Sequence, residues 1–509
     1  MAIKISKLVQ SRKKWKAKAK DRGAKIRNLR KTARRHKRPS APKPPPPADP
    51  EPGRRRPKEK ARRGSGDEPK APELPAPSSP AIPYRTFCVI MTVWGVTPFR
   101  CVPRLLAIFG SLWRLLMRIP HFTSVIHWTL RVGIALFHQV SVLSEPWVAL
   151  LDCSIDIGTR KALVVLRVSL RALHQKQQAI GLQDCECIGL EIAHGWNGSR
   201  VAQTLTRVFE RAGCPVAVLK DGGADLRKGV ELFCEQNPEK KIFSIEDIGH
   251  YTANLLKAQY AGQKLFTTFL KIVSTGTGLI RQTNLAWLMP PKLRAKGRFQ
   301  GITALAQWAQ KLLAWLDPKG KAGFMEGVRQ TRRAFAGLAR LRPFLARFCQ
   351  VCSLVDLLLG LLKTKGLNET TYQAAQDLLA TLPKHSFLRR GWAPWLEKHI
   401  QIFRALGAGE VSLPVSSDPI ESLFGKFKTV IQRNPQAELN RLIYVIPLLC
   451  GHHSQAAIDH ALHQCSHAQM LTTIEQTVPP TLRQMRKKNL DKSPFSVPKN
   501  GDGYAPDSG

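Results

Sequence analysis

The segment WVALLDCSI (residues 147–155) is an unbroken apolar run until Asp152, the pattern of a strand buried in the middle of a sheet. Asp156-Ile157-Gly158-Thr159 then offers a turn, and ALVVLRV (162–168) returns as the second arm of a hairpin. CECIGLEI (185–192) supplies a third strand. A helix around 198–212, a strand VAVL (216–219), a helix over roughly 225–235 and a strand IFSI (242–245) follow. Three antiparallel strands succeeded by helix–strand–helix–strand predict an α/β layout with a mixed sheet.

The flanking sequence has other textures. Residues 1–38 read as a basic helix with a thin apolar seam (Ile5, Leu8, Trp15, Ala19, Ile26, Leu29) interrupted by Arg12 and Arg22, or equally as a solvated basic tail. Residues 39–83 form a proline-rich, charged linker. Residues 84–144 predict short helices broken at Pro98, Pro103, Pro120 and Gly133. Within them, IPHFTSVIHWTLRVG (119–133) has the shape of a turn and helix. Val125, Ile126 and Leu130 would face a core, while Ser124, His127 and Arg131 point outward, as in a helix-turn-helix reader or an ordinary α-hairpin. Residues 251–410 are helical, basic and rich in Leu, Ala and Trp, an inserted helical domain. Residues 411–480 complete the core, and 481–509 are a polar tail.

The formal charge of +43 points to a polyanionic partner, and residues 1–40 alone carry 17 Lys/Arg against one acid, Asp21. Eleven cysteines, an odd number without a disulfide-like framework, suit a reducing compartment. The lysine-rich N-terminus has no apolar core of a secretory signal behind it. TFCVIMTVWGVTPF (86–99) is 14 residues long, too short to span a bilayer.

Three acids carry the chemistry. Asp152 lies in or at the end of the first central strand, and Asp221 lies just past another strand, before Gly222-Gly223. Glu421 lies on the amphipathic helix of SDPIESLFGKFK (417–428), on or beside an apolar stripe of Ile420, Leu423, Phe424, Phe427 and Val430. Asp418 is the expected N-cap, with Pro419 in the first turn. Lys428 follows Glu421 by almost two turns and projects from nearly the same face. If the two strands are neighbours and the helix crosses them, the carboxylates meet at the sheet edge. Bunched acids repel unless hard divalent cations neutralise them. Two such ions, Mg²⁺ or Mn²⁺, can drive an in-line displacement at a phosphodiester.

The order ALLDCSIDIG, VAVLKDGGADL, DPIESLFGKFK, with a lysine seven residues after the glutamate, resembles a DDE transposase of a bacterial insertion sequence, over roughly residues 90–470. The resemblance implies an RNase H-like core interrupted by a helical insertion, with Asp152, Asp221 and Glu421 as metal-binding catalytic triad. It implies Lys428, and Lys426 beside it, as DNA contacts, together with hydrolysis at element ends and strand transfer into double-stranded target DNA. It further implies a homo-oligomer on DNA, without a membrane partner, in a bacterial cytoplasm at the nucleoid. A catalytically silent descendant that only binds DNA, or a nuclease of the same fold that hydrolyses without joining, are the competing functions. Inverted repeats flanking the reading frame would favour the transposase.

Each acid also has an ordinary reading. Asp152 can be a strand-end acid, with Asp156 competing for its role. Asp221 can start a turn, with Asp225 capping the next helix, and Glu421 can pair with Lys426 or Lys428. Asp247, in EDIGHYTANLLK (246–257), reads as an N-cap, a better use of that motif than a role for His250 near metals. Cys349 and Cys352 read as buried thiols. Cys450, His452, His453, His460, His463, Cys465 and His467 fit no standard zinc spacing and read as a polar helix face. There is no Walker loop, and DGGADLRKG lacks the dinucleotide-binding glycine order.

Overall fold

The computed structural model describes residues 83–114, 118–155, 160–171, 179–292, 298–317, 327–407, 411–431 and 440–481, with scattered positions to 489. The expectations for residues 1–38, for the linker to 82, for the Asp156–Thr159 turn and for the tail beyond 489 lie outside these residues. The strands are β1 (Trp147–Ile155), β2 (Arg160–Ser169), β3 (Cys185–His194), β4 (Ala217–Lys220) and β5 (Phe243–Glu246). They form one sheet in the order β3-β2-β1-β4-β5. β1, β2 and β3 run antiparallel, and β4 and β5 lie parallel to β1 and to each other. The predicted strands are all present, β4 and β5 each shifted by one residue. Helices cover Tyr84–Val93 (α1), Cys101–Leu112 (α2) and Phe122–His138 (α3) before the sheet. Gly198–Ala212 (α4) leads into β4, and Ala224–Gln236 (α5) leads into β5.

Strand alternation sorts the sheet's two faces. Trp147, Ala149, Leu151 and Val218 join the apolar cluster of α4 and α5, where Trp147 meets Phe209 edge-on at 5.9 Å. Val148, Leu150, Ala217 and Leu219 point the opposite way, into a second cluster that includes α3. Both faces are covered, which is why β1 reads as continuously apolar. Each fully buried side chain of this kind contributes roughly 1.5–3 kcal/mol. Local signals end the elements: the Asn197 side chain accepts the Arg200 N–H at 2.9 Å to cap α4, and Gly213, at φ +85°, terminates it.

After β5 the chain forms α6 (Ile248–Tyr260), α7 (Lys264–Ile280), α8 (Ile302–Trp315), α9 (Val328–Ala334), α10 (Arg342–Lys365), α11 (Glu369–Ala380) and α12 (Phe387–Ala405). No strand occurs among the described residues of 251–407. These helices do not form one self-contained insertion. Residues of α6 to α8 and the first half of α10 share their own apolar core, whereas Leu358, Leu362, α11 and most of α12 pack into the core beneath the sheet. The boundary therefore falls inside α10. That helix and the residues before it, Ala339–Lys365, are long and apolar enough to cross a membrane by length and composition, yet Leu345, Phe348, Cys352, Val355, Leu358 and Leu362 are buried in the two protein cores. Cys349 and Cys352 are buried thiols, as expected. The chain closes with α13 (Asp418–Val430), α14 (Ile446–Leu449), α15 (Gln455–Gln464) and α16 (His467–Thr477).

Residues 119–133 do not form the expected outward-facing reader. α3 runs straight through Gly133 to His138 and is packed by α1, α14, α15, α16 and the 3-10 turn Arg441–Val445. A helix enclosed this way belongs to the core and is not free to enter a groove. Gly133 sits mid-helix because an added Cβ would lie 1.8 Å from the Tyr444 carbonyl oxygen. Pro103 is accommodated in the first turn of α2, where its missing N–H costs nothing.

Candidate functional site

Strand register brings the two aspartates together. β1 pairs with β4 so that Leu151 faces Lys220, which sets Asp152 beside Asp221, the next residue on each chain. Both continue the alternation of Leu150 and Leu219, so they stand on the face where α13 packs and where Ile420 and Leu423 are buried. Asp152 Oδ1 accepts the Cys153 N–H at 2.6 Å, and Asp221 Oδ1 accepts the Gly223 N–H at 2.8 Å. A Cβ on Gly223 would crowd that same oxygen at 2.8 Å. Burial pushes the Asp152 carboxyl up to about 7, with the charge of Asp221, and then that of Glu421, adding to the effect. The Cys153 N–H and His250 oppose it.

Glu421 comes from the first turn of α13. The apolar stripe of Ile420, Leu423, Phe424, Phe427 and Val430 is buried as its spacing predicts. Glu421 itself is exposed, not on the buried side, because it lies off that stripe. Ser417, not Asp418, is the N-cap, and Pro419 occupies the second helical position. Lys426 and Lys428 are exposed on the same helix.

The structure adds two residues to this neighbourhood. Asp247, 3% exposed, caps α6 as expected, its Oδ1 accepting the His250 N–H at 2.6 Å. The same oxygen lies 3.0 Å from His250 Nδ1, while Oδ2 accepts the Ser417 N–H at 2.6 Å and the Ser417 hydroxyl at 2.9 Å. Burial would raise the Asp247 carboxyl, but the His250 hydrogen bond and charge and the two backbone N–H groups outweigh it and hold the group below its ordinary value. The hydrogen bond to Asp247 pushes His250 up to about 9; burial opposes this, and Asp247, Asp221 and Glu421 support it through their charges. His250 is therefore an imidazolium at neutral pH, facing the acids that flank it. Capping and proximity to the acids are both realised by one Asp-x-x-His motif. Beyond it, Asp247, Glu421, Asp418, Lys363, Lys292 and Phe299 help line a cleft of about 370 Å³. Lys363 Nζ donates to Asp418 Oδ1 at 2.7 Å there.

The donor chemistry suits hard divalent ions: carboxylates from adjacent strands, one of them raised by burial and by its neighbours' charge, are stabilised by a cation. The fit is one of donor type and shared face. Among the described residues no three His, Cys, Asp or Glu side chains close tightly on one point, the 450–469 histidines and cysteines included.

Two expected DNA contacts lie elsewhere. Arg131 donates from Nε to the Cys465 carbonyl at 2.5 Å and from a terminal nitrogen to that of Leu462 at 2.5 Å, so it satisfies carbonyls at the end of α15 instead of pointing outward. His127 is half-buried, its ring 4.9 Å from that of His467. Outward projection failed for both because the sequence does not announce that α15 and α16, more than 300 residues later, cover that face of α3.

No family model matches the chain, and no curated protein matches it. Among solved structures, it is similar to the Drosophila P element transposase strand transfer complex at 12% identity and a TM-score of 0.40, over 73% of this chain and 92% of that chain.

Proposed function

We propose that the chain is a DNA transposase with an RNase H-like core, hydrolysing a phosphodiester at the ends of a mobile element and joining the freed 3′-hydroxyl to target DNA. The observation that supports this reading is the β1–β4 register, which sets Asp152 beside Asp221, together with the charges of Asp221 and of Glu421, on the helix packed over that face, both acting on Asp152. The strand order β3-β2-β1-β4-β5, with an antiparallel half and a parallel half meeting at β1, supports the RNase H-like assignment. Asp152, Asp221 and Glu421 would hold two Mg²⁺ or Mn²⁺ ions, which when bound supply a more acidic attacking water or hydroxyl and neutralise charge on the phosphate.

The remaining work falls to the chain. Asp152 presents one oxygen pinned by the Cys153 N–H, and the Asp221 oxygen is fixed by the Gly223 N–H, so neither carboxylate swings freely. Gly223 has no Cβ to crowd the Asp221 carboxylate, whose Oδ1 an added Cβ would approach to 2.8 Å. Lys426 and Lys428, exposed on α13, would hold phosphates beside the site, and the net charge of +43 supplies sequence-independent affinity. Membership of a bacterial insertion sequence, action at the nucleoid and assembly as a homo-oligomer belong to the same proposal.

Single-turnover cleavage of the protein's own flanking DNA with Mg²⁺, with strand mapping and a search for joined products, tests it. Glu421→Gln keeps size and helix but removes a charge the ions need, so the rate should fall by orders of magnitude at about 1.4 kcal/mol per tenfold, with DNA binding retained. Lys428→Ala should weaken end positioning and leave measurable chemistry. A Glu421→Gln protein that cuts at the normal rate removes the reading, and cutting without joining would make the protein a nuclease.

A further inference from the structure

We propose that Asp247 is a positioning residue for Glu421: its buried carboxylate latches the N-terminus of α13 to the end of β4 and the start of α6. This rests on the reading of Glu421 as a metal ligand. Three elements meet at Asp247. Its backbone N–H donates to the Lys220 carbonyl at 2.9 Å, one residue before Asp221. Its Oδ1 takes the His250 N–H, and the neighbouring Ile248 N–H donates to the Val415 carbonyl at 2.9 Å. Its Oδ2 takes both the N–H and the hydroxyl of Ser417, four residues before Glu421.

Ser417 supplies an independent sign of this arrangement. It stands at the N-cap of α13, where a serine ordinarily turns its hydroxyl back onto the helix's own N–H groups, yet it makes no such bond. Its hydroxyl goes to Asp247. A carboxylate thereby sits at the positive end of the helix that carries Glu421, and the helix start is tied directly to the strand that carries Asp221. Lys363 of α10 grips Asp418 from the cleft side, at 2.7 and 2.8 Å to its two oxygens. That pair is partly exposed and contributes little; the buried bonds to Asp247 set the geometry.

The full-length protein carries the test in three variants: Asp247→Asn, which keeps shape but removes charge and sets an NH₂ against an N–H donor; Ser417→Ala; and their combination. Thermal stability, affinity for the element end, single-turnover cleavage as a function of Mn²⁺, and Mn²⁺ binding to the DNA-free protein are measured for each. Asp247→Asn should cleave roughly 10–100-fold more slowly, with affinity for the DNA end changed less than about twofold and the Mn²⁺ requirement raised. Ser417→Ala should move rate and Mn²⁺ requirement in the same direction by less. The combined variant should be no worse than Asp247→Asn, because both act through one contact. If Glu421→Gln is inactive while Asp247→Asn cuts and binds Mn²⁺ normally, the latch is wrong and the proposed function stands. If Glu421→Gln itself is active, the proposed function fails instead. Should Asp247→Asn not fold, an unchanged Mn²⁺ requirement in Ser417→Ala overturns the latch.

Discussion

His399, fully buried in α12, accepts the Glu246 N–H at Nε2 (3.1 Å) and donates from Nδ1 to the Trp395 carbonyl at 2.6 Å. A proton added to Nε2 would face a donor and no acceptor. Burial is the largest reason that the ring's pKa falls from 6.5 to about 4, and the neighbouring Lys398 and Lys220 add to it against the Trp395 carbonyl and Glu246. Because the folded value is depressed, stability from this group is fully present above about 6.5 and is lost as pH falls toward 4. Denaturant titrations across that window should show stability rising with pH by up to about 1.4 kcal/mol per unit from His399, and His399→Gln should flatten the slope by that amount. An unchanged slope would assign the ring another protonation state. At this scale the strand and helix positions of Asp152, Asp221 and Glu421 were legible because each follows or precedes a strong local pattern. The bond between Asp247 and Ser417 was not, since 170 residues separate its ends and only the fold brings them together.

Among elements, α3 shows where periodicity succeeds and where it stops. Val125 and Leu130 are buried as their spacing predicts, but the same spacing cannot say how many neighbours a helix has. Gly133 looked like a helix breaker, and it is instead the point where the 3-10 turn at 441–445 touches the α3 backbone. Gly133→Ala therefore sets two effects in opposition. Alanine improves helix propensity by roughly 1 kcal/mol, whereas a Cβ placed 1.8 Å from a carbonyl oxygen forces backbone to move, an overpacking cost of about 1–3 kcal/mol or more. The clash should win. Chemical denaturation should show a lower midpoint at unchanged m-value, and a midpoint at or above that of the parent protein would mean that α3 and this turn do not touch. The strands were easier to locate than the helices because β1 and β2 are covered on both faces and so read as apolar runs, whereas α3 and α10 differ from surface helices only in what surrounds them.

Over the whole molecule, charge and chemistry are separable along the chain. Residues 1–40 hold 17 of the 79 Lys/Arg, and all three candidate acids lie far beyond them. Deleting residues 1–38 should therefore flatten the salt dependence of DNA binding, by about 0.9 in log–log slope for each phosphate that the segment neutralises, while cleavage at low salt persists. A slope that does not change would place the non-specific affinity beyond residue 38. Sequence texture drew the division of the helical segment too simply, and α10 is one reason. The chain leaves the sheet through α6, whose Ile248 joins the core beneath the sheet while its Leu256 and Tyr260 join the helical core, and it returns in the middle of α10, 24 residues and about 36 Å long. A module joined by loops can be trimmed, swapped or loosened without disturbing its host. One joined by a shared helix cannot, because every turn of that helix is shaped on one side for one core and farther along for the other. Evolution or engineering that resizes the segment must therefore leave α10 at its present length.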